Sequence, residues 1–228
     1  MDDKELIARR VALELKPGNL ANLGIGLPQS VANYLPAGVE VFFQSENGII
    51  GMQALPEIGM EDPYLTDAGG RPIGAIPGAC SLDSCVSFGL IRGGHLDVTV
   101  LGGLQVDERG RLANWTVPGK MIPGMGGAMD LVTGTKRVIV AMTHAVKGES
   151  KIVKQCTLPL TSIRPVNLVI TELAVIEPSD EGLVLKERAP GVTVEKVIAA
   201  TEALLIIPPK VPEMAISPPQ VREMAIGA

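Results

Sequence analysis

The sequence predicts one open α/β domain, with helices packed on a sheet, and three observations favour this class. The 228 residues are 46% hydrophobic and only 3% aromatic, so Val, Ile, Leu and Ala must form most of the core. Gly and Pro are frequent, at 26 and 18 residues, which suits many short turns between strands and helices. The chain also opens with a β-α-β pattern, and its length fits a single domain with its own core.

A first helix precedes this β-α-β pattern, which spans residues 20–43. Ile7, Val11 and Leu15 recur at helical spacing, which predicts a helix over residues 3–15. Pro17-Gly18 ends that helix. The next elements are a strand, a helix that a proline opens, and a second strand, over residues 20–25, 29–34 and 39–43.

The middle of the chain combines a long loop with further strands and one helix. Prolines and paired glycines between residues 51 and 71 predict a loop, and loops of this length are often functional. Ser81 is expected to cap a helix that runs to Ile91 and ends at Gly93. Strands are predicted over residues 73–76 and 96–101, and a hairpin is predicted to join residues 104–106 to residues 112–115.

The second half continues the alternation of strands and helices as far as residue 207. A short helix over residues 128–132 follows a glycine-rich segment, and another helix is predicted over residues 193–203. Residues 151–161 give no clear pattern. Strands are predicted over residues 137–142, 167–171, 173–176, 183–186 and 204–207.

A change of composition at residue 208 predicts a domain of residues 1–207 and a proline-rich tail of residues 208–228. The tail contains two similar pieces, PEMAI at residues 212–216 and REMAI at residues 222–226, which lie ten residues apart. Chain ends are where changes are best tolerated, so the second piece is expected to be dispensable for catalysis.

Charge and composition argue against several classes of partner. The net charge is −5 and no basic block occurs, so nucleic acid is not expected to bind. The first residues, MDDKE, are charged, and no stretch has the length of a membrane span, so we expect neither a signal peptide nor a membrane partner. The three cysteines lack a Cys-x-x-Cys spacing and are interpreted as small buried residues in a reducing cytoplasm.

Common cofactor and metal motifs are also missing from the sequence. Gly24 and Gly26 begin a dinucleotide fingerprint, but Gln29 stands where its third glycine belongs, which argues against a nicotinamide cofactor. His95 and His144 lack carboxylates at ligand spacing, so no metal site is predicted. The absence of Gly-x-Ser-x-Gly and Walker motifs argues against a serine hydrolase or an NTPase.

Two segments remain as candidates for a functional site. Glu46 follows a short core strand and lies in a sharp Asn-Gly turn, at the strand end where open α/β sheets bind ligands. On spacing alone, a structural role as a turn cap is favoured for this carboxylate. Gly124, Gly126 and Gly127 precede the helix predicted at residue 128. Backbone N–H groups there can approach an anion, although a plain tight loop is the alternative.

Residues 43–49, FQSENGI, resemble the catalytic signature of the beta subunits of family I CoA-transferases. The resemblance extends, in the same order, over nearly all of the chain up to about residue 205. It is closest to beta subunits that act on acetoacetate, acetate or butyrate. The other matching segments are NLGIGLP, IRGGHLD, ANW, PGKM, GMGGAMDL and LPLT, which begin at residues 22, 91, 113, 118, 124 and 158.

The resemblance implies a mixed, mostly parallel sheet flanked by helices, and a covalent mechanism. Its implied nucleophile is Glu46, whose carboxylate attacks an acyl-CoA thioester and later carries CoA as a glutamyl thioester, with ping-pong kinetics. The segment with Gly124, Gly126 and Gly127 is implied to contact CoA. Gly126 or Gly127 is implied to donate a backbone N–H group to the oxyanion. No tightly bound cofactor is implied, because coenzyme A is itself the substrate.

The implied function is reversible transfer of CoA between a short-chain acyl-CoA and a carboxylic acid such as acetoacetate, acetate or butyrate. The implied partner is an alpha-type subunit that supplies the rest of the pocket. Four alternatives stay open. Two of them are subunits of other CoA-transferases, one that acts on 3-oxoadipate and one that is a succinate-dependent 3-oxoacid CoA-transferase. The third is a sugar-phosphate isomerase on a similar sheet. The fourth is a non-catalytic subunit that binds CoA without forming an adduct.

Overall fold

The computed structural model describes residues 1–53, 59–119 and 124–218. Four α-helices and one 3₁₀ helix (Leu27–Tyr34) occur in these ranges. The α-helices are α1 (Asp3–Ala12), α2 (Ser84–Arg92), α3 (Ala128–Gly134) and α4 (Val194–Ala200). The strands are β1 (Leu20–Leu23), β2 (Phe42–Ser45), β3 (Ile49–Gln53), β4 (Gly74–Ser81), β5 (Val98–Leu101), β6 (Gln105–Asp107), β7 (Leu112–Ala113), β8 (Arg137–Ala141), β9 (Ala145–Val146), β10 (Glu149–Ser150), β11 (Ile152–Val153), β12 (Leu168–Ile170), β13 (Ala174–Ser179), β14 (Gly182–Arg188) and β15 (Leu205–Ile206).

One large sheet organises the domain and confirms the predicted α/β class. Its ten strands lie in the order β15-β14-β13-β12-β8-β5-β1-β2-β3-β4. The central strands, from β12 through β8, β5 and β1 to β2, are parallel, so their carboxyl ends meet at one edge of the sheet. Antiparallel strands flank this centre, with β3 and β4 on one side and β13 and β14 on the other.

Helices cover both faces of the sheet and form one hydrophobic core on each face. The residues of β5 contribute to both cores. Val98 and Val100 lie in one core, with apolar residues of α1 and the 3₁₀ helix. Leu101 lies in the other core, with apolar residues of α2, α3 and α4. Successive side chains of a strand point to opposite faces, so a strand buried on both faces is apolar almost throughout. Each fully buried Val or Leu contributes about 1.5–3 kcal/mol to folding.

Several predicted element bounds are wrong, and tertiary contacts explain the differences. Ser81 does not cap α2, because it is the last residue of β4 and pairs with Ile49. The cap is Asp83, whose carboxylate accepts a hydrogen bond of 3.0 Å from the Val86 N–H. Three other predictions also differ: α1 ends at residue 12, α4 ends at residue 200, and residues 51–53 of the predicted loop belong to β3. Residues 54–58 of that loop lie outside the described residues.

Other predicted elements are confirmed. The 104–106 and 112–115 hairpin is present as the antiparallel pair β6 and β7. The short helix after the glycine-rich segment is α3. Within the described ranges, none of the helices has the length and apolar character that crossing a bilayer requires.

His144 is buried at the carboxyl end of β8 and gives the fold a pH-dependent stability. Its two ring nitrogens lie 2.9 Å from the hydroxyl oxygens of Thr171 and Thr201. Burial lowers the pKa of His144 to about 4. An unfolded chain protonates this group near its ordinary pKa of about 6.5, so between these values the unfolded state binds more protons.

We therefore expect the His144 contribution to stability to be complete above about pH 6.5 and lost as the pH falls toward about 4, by up to about 3 kcal/mol. Urea unfolding of the wild type and of His144→Gln at pH 7.5, 6 and 4.5 measures this. The variant lacks the titrating group, so the wild type should lose more stability than the variant on acidification. Equal losses in both proteins would contradict the assignment.

Candidate active site

Glu46 lies in the tight turn that joins β2 to β3. The backbone N–H of Gly48 donates to the carbonyl of Ser45 at 3.0 Å and closes the turn. Gly48 has φ = +125°, and a Cβ at this position would collide with the carbonyl oxygen of Leu82. Only glycine fits here without strain, so the Asn-Gly pair fixes the path of the chain directly after the carboxylate.

A buried set of polar side chains holds one oxygen of the Glu46 carboxylate. Asn22 Nδ2 donates to Glu46 Oε2 at 3.2 Å and to Gln44 Oε1 at 3.0 Å. Gln44 Nε2 in turn donates to the hydroxyl of Ser87 on α2 at 2.9 Å. The hydroxyl of Thr99 donates to Asn22 Oδ1 at 3.4 Å. Neighbouring strands β5, β1 and β2 therefore contribute Thr99, Asn22 and Gln44 to one network, each 1% exposed or less.

Sequence reasoning did not find this network, although a signal was present. Each of its strand residues is a polar residue beside apolar residues of a core strand: Asn22 in LANL, Gln44 in FFQS and Thr99 in VTVL. A polar side chain in a core strand must find a buried partner, because an unpaired polar group in the interior is costly.

The glycine-rich segment predicted to bind an anion lies against the other side of the carboxylate. A Cβ added to Gly127 would lie 3.1 Å from Glu46 Cγ and 3.2 Å from Glu46 Oε1. A Cβ added to Gly126 would lie 3.9 Å from Glu46 Oε1. The structure thus brings Gly126 and Gly127 together with Glu46, eighty residues earlier in the chain. A Cβ on Gly124 would meet no atom of the described residues within 4 Å, and the backbone of this residue has φ = +109°.

The backbone of this turn offers hydrogen-bond donors at the site. Within the part of the chain that the structure describes, the N–H groups of Gly126 and Gly127 have no acceptor. Gly126 has φ = +51°, and Gly127 forms the N-terminal cap of α3. Glu46 Oε2 is therefore bound by Asn22, while Oε1 lies beside a turn whose N–H donors have no acceptor among the described residues. This arrangement suits a reaction in which negative charge develops beside Oε1.

Contacts along α3 hold the helix that follows the glycine turn. The guanidinium group of Arg164 donates to four backbone carbonyls at the end of this helix, those of residues 132, 133, 135 and 136. Asp130, in the first turn of α3, pairs with Arg92 of α2 at 2.7 Å. Gly134 packs so closely on α2 that a Cβ would collide with the Ile91 carbonyl oxygen. The helix behind the turn therefore has little freedom to move.

The loop after residue 65 also supports the Glu46 turn. The hydroxyl of Ser45 accepts a hydrogen bond from the Ala68 N–H at 2.9 Å, and Asn47 Nδ2 donates to the Thr66 carbonyl at 2.8 Å. A cavity of about 470 Å³ borders the same loop, and its lining includes Phe43 and Met52 but not Glu46. The two neighbours of Glu46 in the chain are thus held by this loop, while the Glu46 side chain itself stays half-buried.

Neither histidine belongs to this site. His144 is enclosed by the two threonine hydroxyls described above, and the backbone N–H of His95 donates to the Leu90 carbonyl where α2 ends. Among the described residues, no group of three or more His, Cys, Asp or Glu side chains is arranged to hold a metal ion.

A parallel sheet that presents a carboxylate to a glycine turn at its carboxyl edge is the arrangement of an α/β enzyme. The family model described as coenzyme A transferase matches residues 4–200. This match spans most of the chain, and the chain therefore belongs to the coenzyme A transferase family. The resemblance found in the sequence motifs is confirmed, and the protein is an enzyme of the transferase class.

Curated relatives and a solved structure agree with this assignment. The beta subunit of acetate CoA-transferase from Haemophilus influenzae is 56% identical over 219 residues, which cover 95% of this chain and 97% of that protein. One subunit of succinyl-CoA:3-ketoacid coenzyme A transferase from Helicobacter pylori is 50% identical over 201 residues, which cover 88% and 97%. The crystal structure of an acyl-CoA transferase from Escherichia coli O157:H7 shares the fold, with a TM-score of 0.75 over 94% of this chain and 43% of that chain. Its sequence identity is 23%, so this likeness shows the fold alone.

Proposed function

We propose that this chain is the beta subunit of a CoA-transferase and that Glu46 carries CoA as a thioester between the two halves of the reaction. The observation that carries the proposal is the Glu46 carboxylate, bound by Asn22 on one oxygen and facing the Gly126-Gly127 turn with the other. The donors and acceptors proposed are short-chain acyl-CoA thioesters and acids such as acetate, acetoacetate and butyrate. The relative from H. influenzae acts on acetate by its name, and the relative from H. pylori is named for succinyl-CoA and a 3-ketoacid.

The first half-reaction begins with attack by Glu46 Oε1 on the carbonyl carbon of the acyl-CoA thioester. The C–S bond breaks, CoA leaves as a thiolate, and the acyl group is joined to Glu46 as a mixed anhydride. The thiolate then attacks Cδ of Glu46, and the bond from Cδ to the bridging oxygen breaks. The donor acid leaves with that oxygen, and Glu46 holds CoA as a thioester.

The second half-reaction repeats these steps in reverse with the acceptor acid. Its carboxylate attacks Cδ, the thiolate leaves and then attacks the acyl carbon, and a new acyl-CoA is released as Glu46 regains its carboxylate. No proton is transferred in any step, because acids and thiolate enter and leave as anions. A general base is therefore not needed, since a carboxylate is ionised at neutral pH.

The residues around Glu46 have separate tasks in this scheme. The N–H groups of Gly126 and Gly127 are placed to stabilise charge on the thioester oxygen when Oε1 attacks. Asn22 holds Oε2, the oxygen that stays on Glu46 and becomes the carbonyl oxygen of its CoA thioester. Both covalent intermediates hydrolyse if water reaches them, so the bound site must be dry.

A second subunit is proposed to complete this enclosure. Ile25, Tyr64 and Met125, in segments that border the site, are 62%, 95% and 41% exposed. Exposed apolar side chains grouped around a site are typical of a surface that another chain covers. The E. coli acyl-CoA transferase, of which this chain covers 43%, is long enough to contain both halves in one chain. The proposed partner is an alpha-type subunit. The interpretation of the cysteines as small buried residues is wrong for Cys80 and Cys85, which are both exposed. A cytoplasmic location is proposed, because exposed free thiols persist in a reducing compartment.

Incubation of this chain with acetoacetyl-CoA, alone and with its cognate alpha-type subunit, tests the proposal. Intact-mass and peptide analysis should find CoA on Glu46, as a hydroxylamine-sensitive thioester, in the assembled protein. The chain alone should be folded and nearly inactive. Full transfer activity from the chain alone would overturn the two-subunit proposal, and turnover without any adduct on Glu46 would overturn the covalent mechanism.

Asn22→Ala removes the hydrogen bond to Glu46 Oε2 and should slow formation of the adduct. A hydrogen bond to a charged group contributes about 1.5–3 kcal/mol, so a loss of roughly ten- to a hundredfold in rate is expected. Rapid quenching followed by mass analysis of the assembled enzyme measures this rate.

Thr99→Val is the matched control for Asn22→Ala. It keeps the side-chain shape and removes only the 3.4 Å hydrogen bond to Asn22, without touching Glu46. Its adduct rate should stay within a few-fold of the wild type. A normal adduct rate in Asn22→Ala, with only a lower melting temperature, would make Asn22 a structural residue.

A further inference from the structure

The C-terminal tail consists of two successive copies of one ten-residue sequence. Residues 208–217 read PPKVPEMAIS, and residues 218–227 read PPQVREMAIG. Proline, proline, valine, glutamate, methionine, alanine and isoleucine recur at the same places, so seven of the ten positions are identical. The structure describes the first copy, and all but the first residue of the second copy lies outside the described residues.

The first copy is bound to the domain at the end of β14. The Met214 N–H donates to the Arg188 carbonyl at 2.8 Å, and the Arg188 N–H donates to the Pro212 carbonyl at 3.0 Å. These two bonds form a parallel β-bridge between the tail and the sheet. Glu213 pairs with Arg188 at 2.7 Å, and the Met214 side chain is 3% exposed within the core under α1.

A second contact lies three residues further along. The hydroxyl of Ser217 donates to the Tyr34 carbonyl at 2.6 Å, at the end of the 3₁₀ helix. The Ser217 N–H donates to the Arg9 carbonyl of α1 at 3.4 Å. Residues 212–217 therefore occupy a groove formed by the end of β14, α1 and the 3₁₀ helix, which we name the tail groove.

Almost every feature that binds the first copy is repeated in the second. The glutamate and the methionine recur as Glu223 and Met224, and the bridging hydrogen bonds use backbone groups that any residue supplies. Arg222 replaces Pro212 and keeps the carbonyl. One binding group is lost, because the residue of the second copy that corresponds to Ser217 is Gly227, which has no hydroxyl group. The first copy is therefore the better ligand for the groove, by one hydrogen bond.

We propose that the tail groove accepts either copy, and that residues 218–227 bind there in the same chain when the first copy is released. Two arguments favour binding within one chain. First, a segment of the same chain is present at a high effective concentration near the groove. Second, the ten additional residues then form a longer loop, and the entropic cost of closing a loop rises only slowly with its length. The duplication thus gives the domain a second C-terminal anchor. This inference does not depend on the proposed function.

A double-mutant cycle on the full-length chain tests the proposal. Met214→Asp places a charge in the buried position of the first copy, and Met224→Asp does the same to the second copy. We expect Met224→Asp to leave the melting temperature unchanged and Met214→Asp to lower it by less than roughly 2 °C. The double variant should lower it by roughly 5–10 °C, because no apolar anchor remains. Non-additivity of this kind is the mark of two segments competing for one place.

Hydrogen exchange followed by mass spectrometry identifies the bound copy directly. In the wild type, peptides from residues 208–217 should be protected and those from residues 218–227 should exchange freely. In Met214→Asp, protection should move to residues 218–227. If the double aspartate variant does not fold, the same comparison is made with the milder substitutions Glu213→Lys and Glu223→Lys, singly and together.

Two results would overturn the proposal. If Met214→Asp lowers the melting temperature as much as the double variant, the second copy does not replace the first. If the second copy preserves the melting temperature of Met214→Asp only at high protein concentration, it binds the tail groove of another chain. The assignment within one chain is then wrong.

Discussion

Glu46→Ala should abolish CoA transfer, with a loss on the order of 10⁴-fold or more, and should also remove the covalent CoA adduct. The expected loss is large because none of the described residues beside Glu46 supplies a second carboxylate to replace it, and removal of a nucleophile commonly has effects of this size. The fold should survive. Asn22 keeps Gln44 as an acceptor when the Glu46 side chain is gone, so no buried donor is left without a partner.

Glu181→Ala is the control for this experiment. Glu181 is an exposed glutamate in the turn between β13 and β14, far along the sheet from Glu46, and its loss should leave turnover unchanged. Activity of the reconstituted enzyme, the adduct mass and the melting temperature are measured for both variants. Transfer near the wild-type rate in Glu46→Ala would exclude Glu46 as the covalent carrier of CoA.

The sequence predicted most of the helices and core strands, and it selected Glu46 and the glycine segment as candidates, because these features depend on local patterns. The short strands β9, β10 and β11 were not predicted. Apolar runs such as VTVL and RVIVA identify core strands wherever they lie in the chain. Glu46 and the glycine segment were selected by turn chemistry and motif, which are also local. Their contact in the structure follows from strand order and from the path of the chain into α3, which local patterns do not contain.

The parts that could not be predicted depend on which strands become neighbours. Asn22, Gln44 and Thr99 form one network only because β5, β1 and β2 are adjacent in the sheet. Arg164 holds the end of α3 from about thirty residues further along the chain. The cap of α2 was misplaced for the same reason. Pairing of β4 with β3 extends the strand to Ser81, and Asp83 is then the first side chain free to cap the helix.

Gly127 offers a sharp test of the turn beside Glu46, because its backbone has φ = −84°, a value that any residue adopts. Alanine at this position costs little in backbone strain. Its Cβ would lie 3.1 Å from Glu46 Cγ, so the carboxylate must shift by a few tenths of an ångström. We expect Gly127→Ala to slow adduct formation by roughly tenfold, since small misplacements of reacting groups are costly in rate.

In the proposed mechanism, Gly127→Val adds bulk where the thioester approaches the N–H groups of Gly126 and Gly127. Loss of one oxyanion donor costs about 2.7–4 kcal/mol, so a hundred- to a thousandfold fall in the adduct rate is expected for this variant. The melting temperature should fall much less than the rate, because the three atoms nearest to a Cβ at this position all belong to the half-buried Glu46 side chain. Single-turnover mass analysis with acyl-CoA and no acceptor acid gives the rate.

Two other glycines separate contact with Glu46 from general effects of substitution. Gly89→Ala, in α2, is the matched control, since its Cβ would meet no atom within 4 Å in the part of the chain that the structure describes. Gly134 is unsuitable as a control, because its Cβ would collide with the Ile91 carbonyl oxygen. Gly126→Ala adds backbone strain at φ = +51° but no contact closer than 3.9 Å to Glu46. It should lower stability by about 1 kcal/mol and reduce the adduct rate less than Gly127→Ala does. If Gly127→Val forms the adduct at the wild-type rate, the turn supplies no oxyanion donor, and that donor must come from the partner subunit.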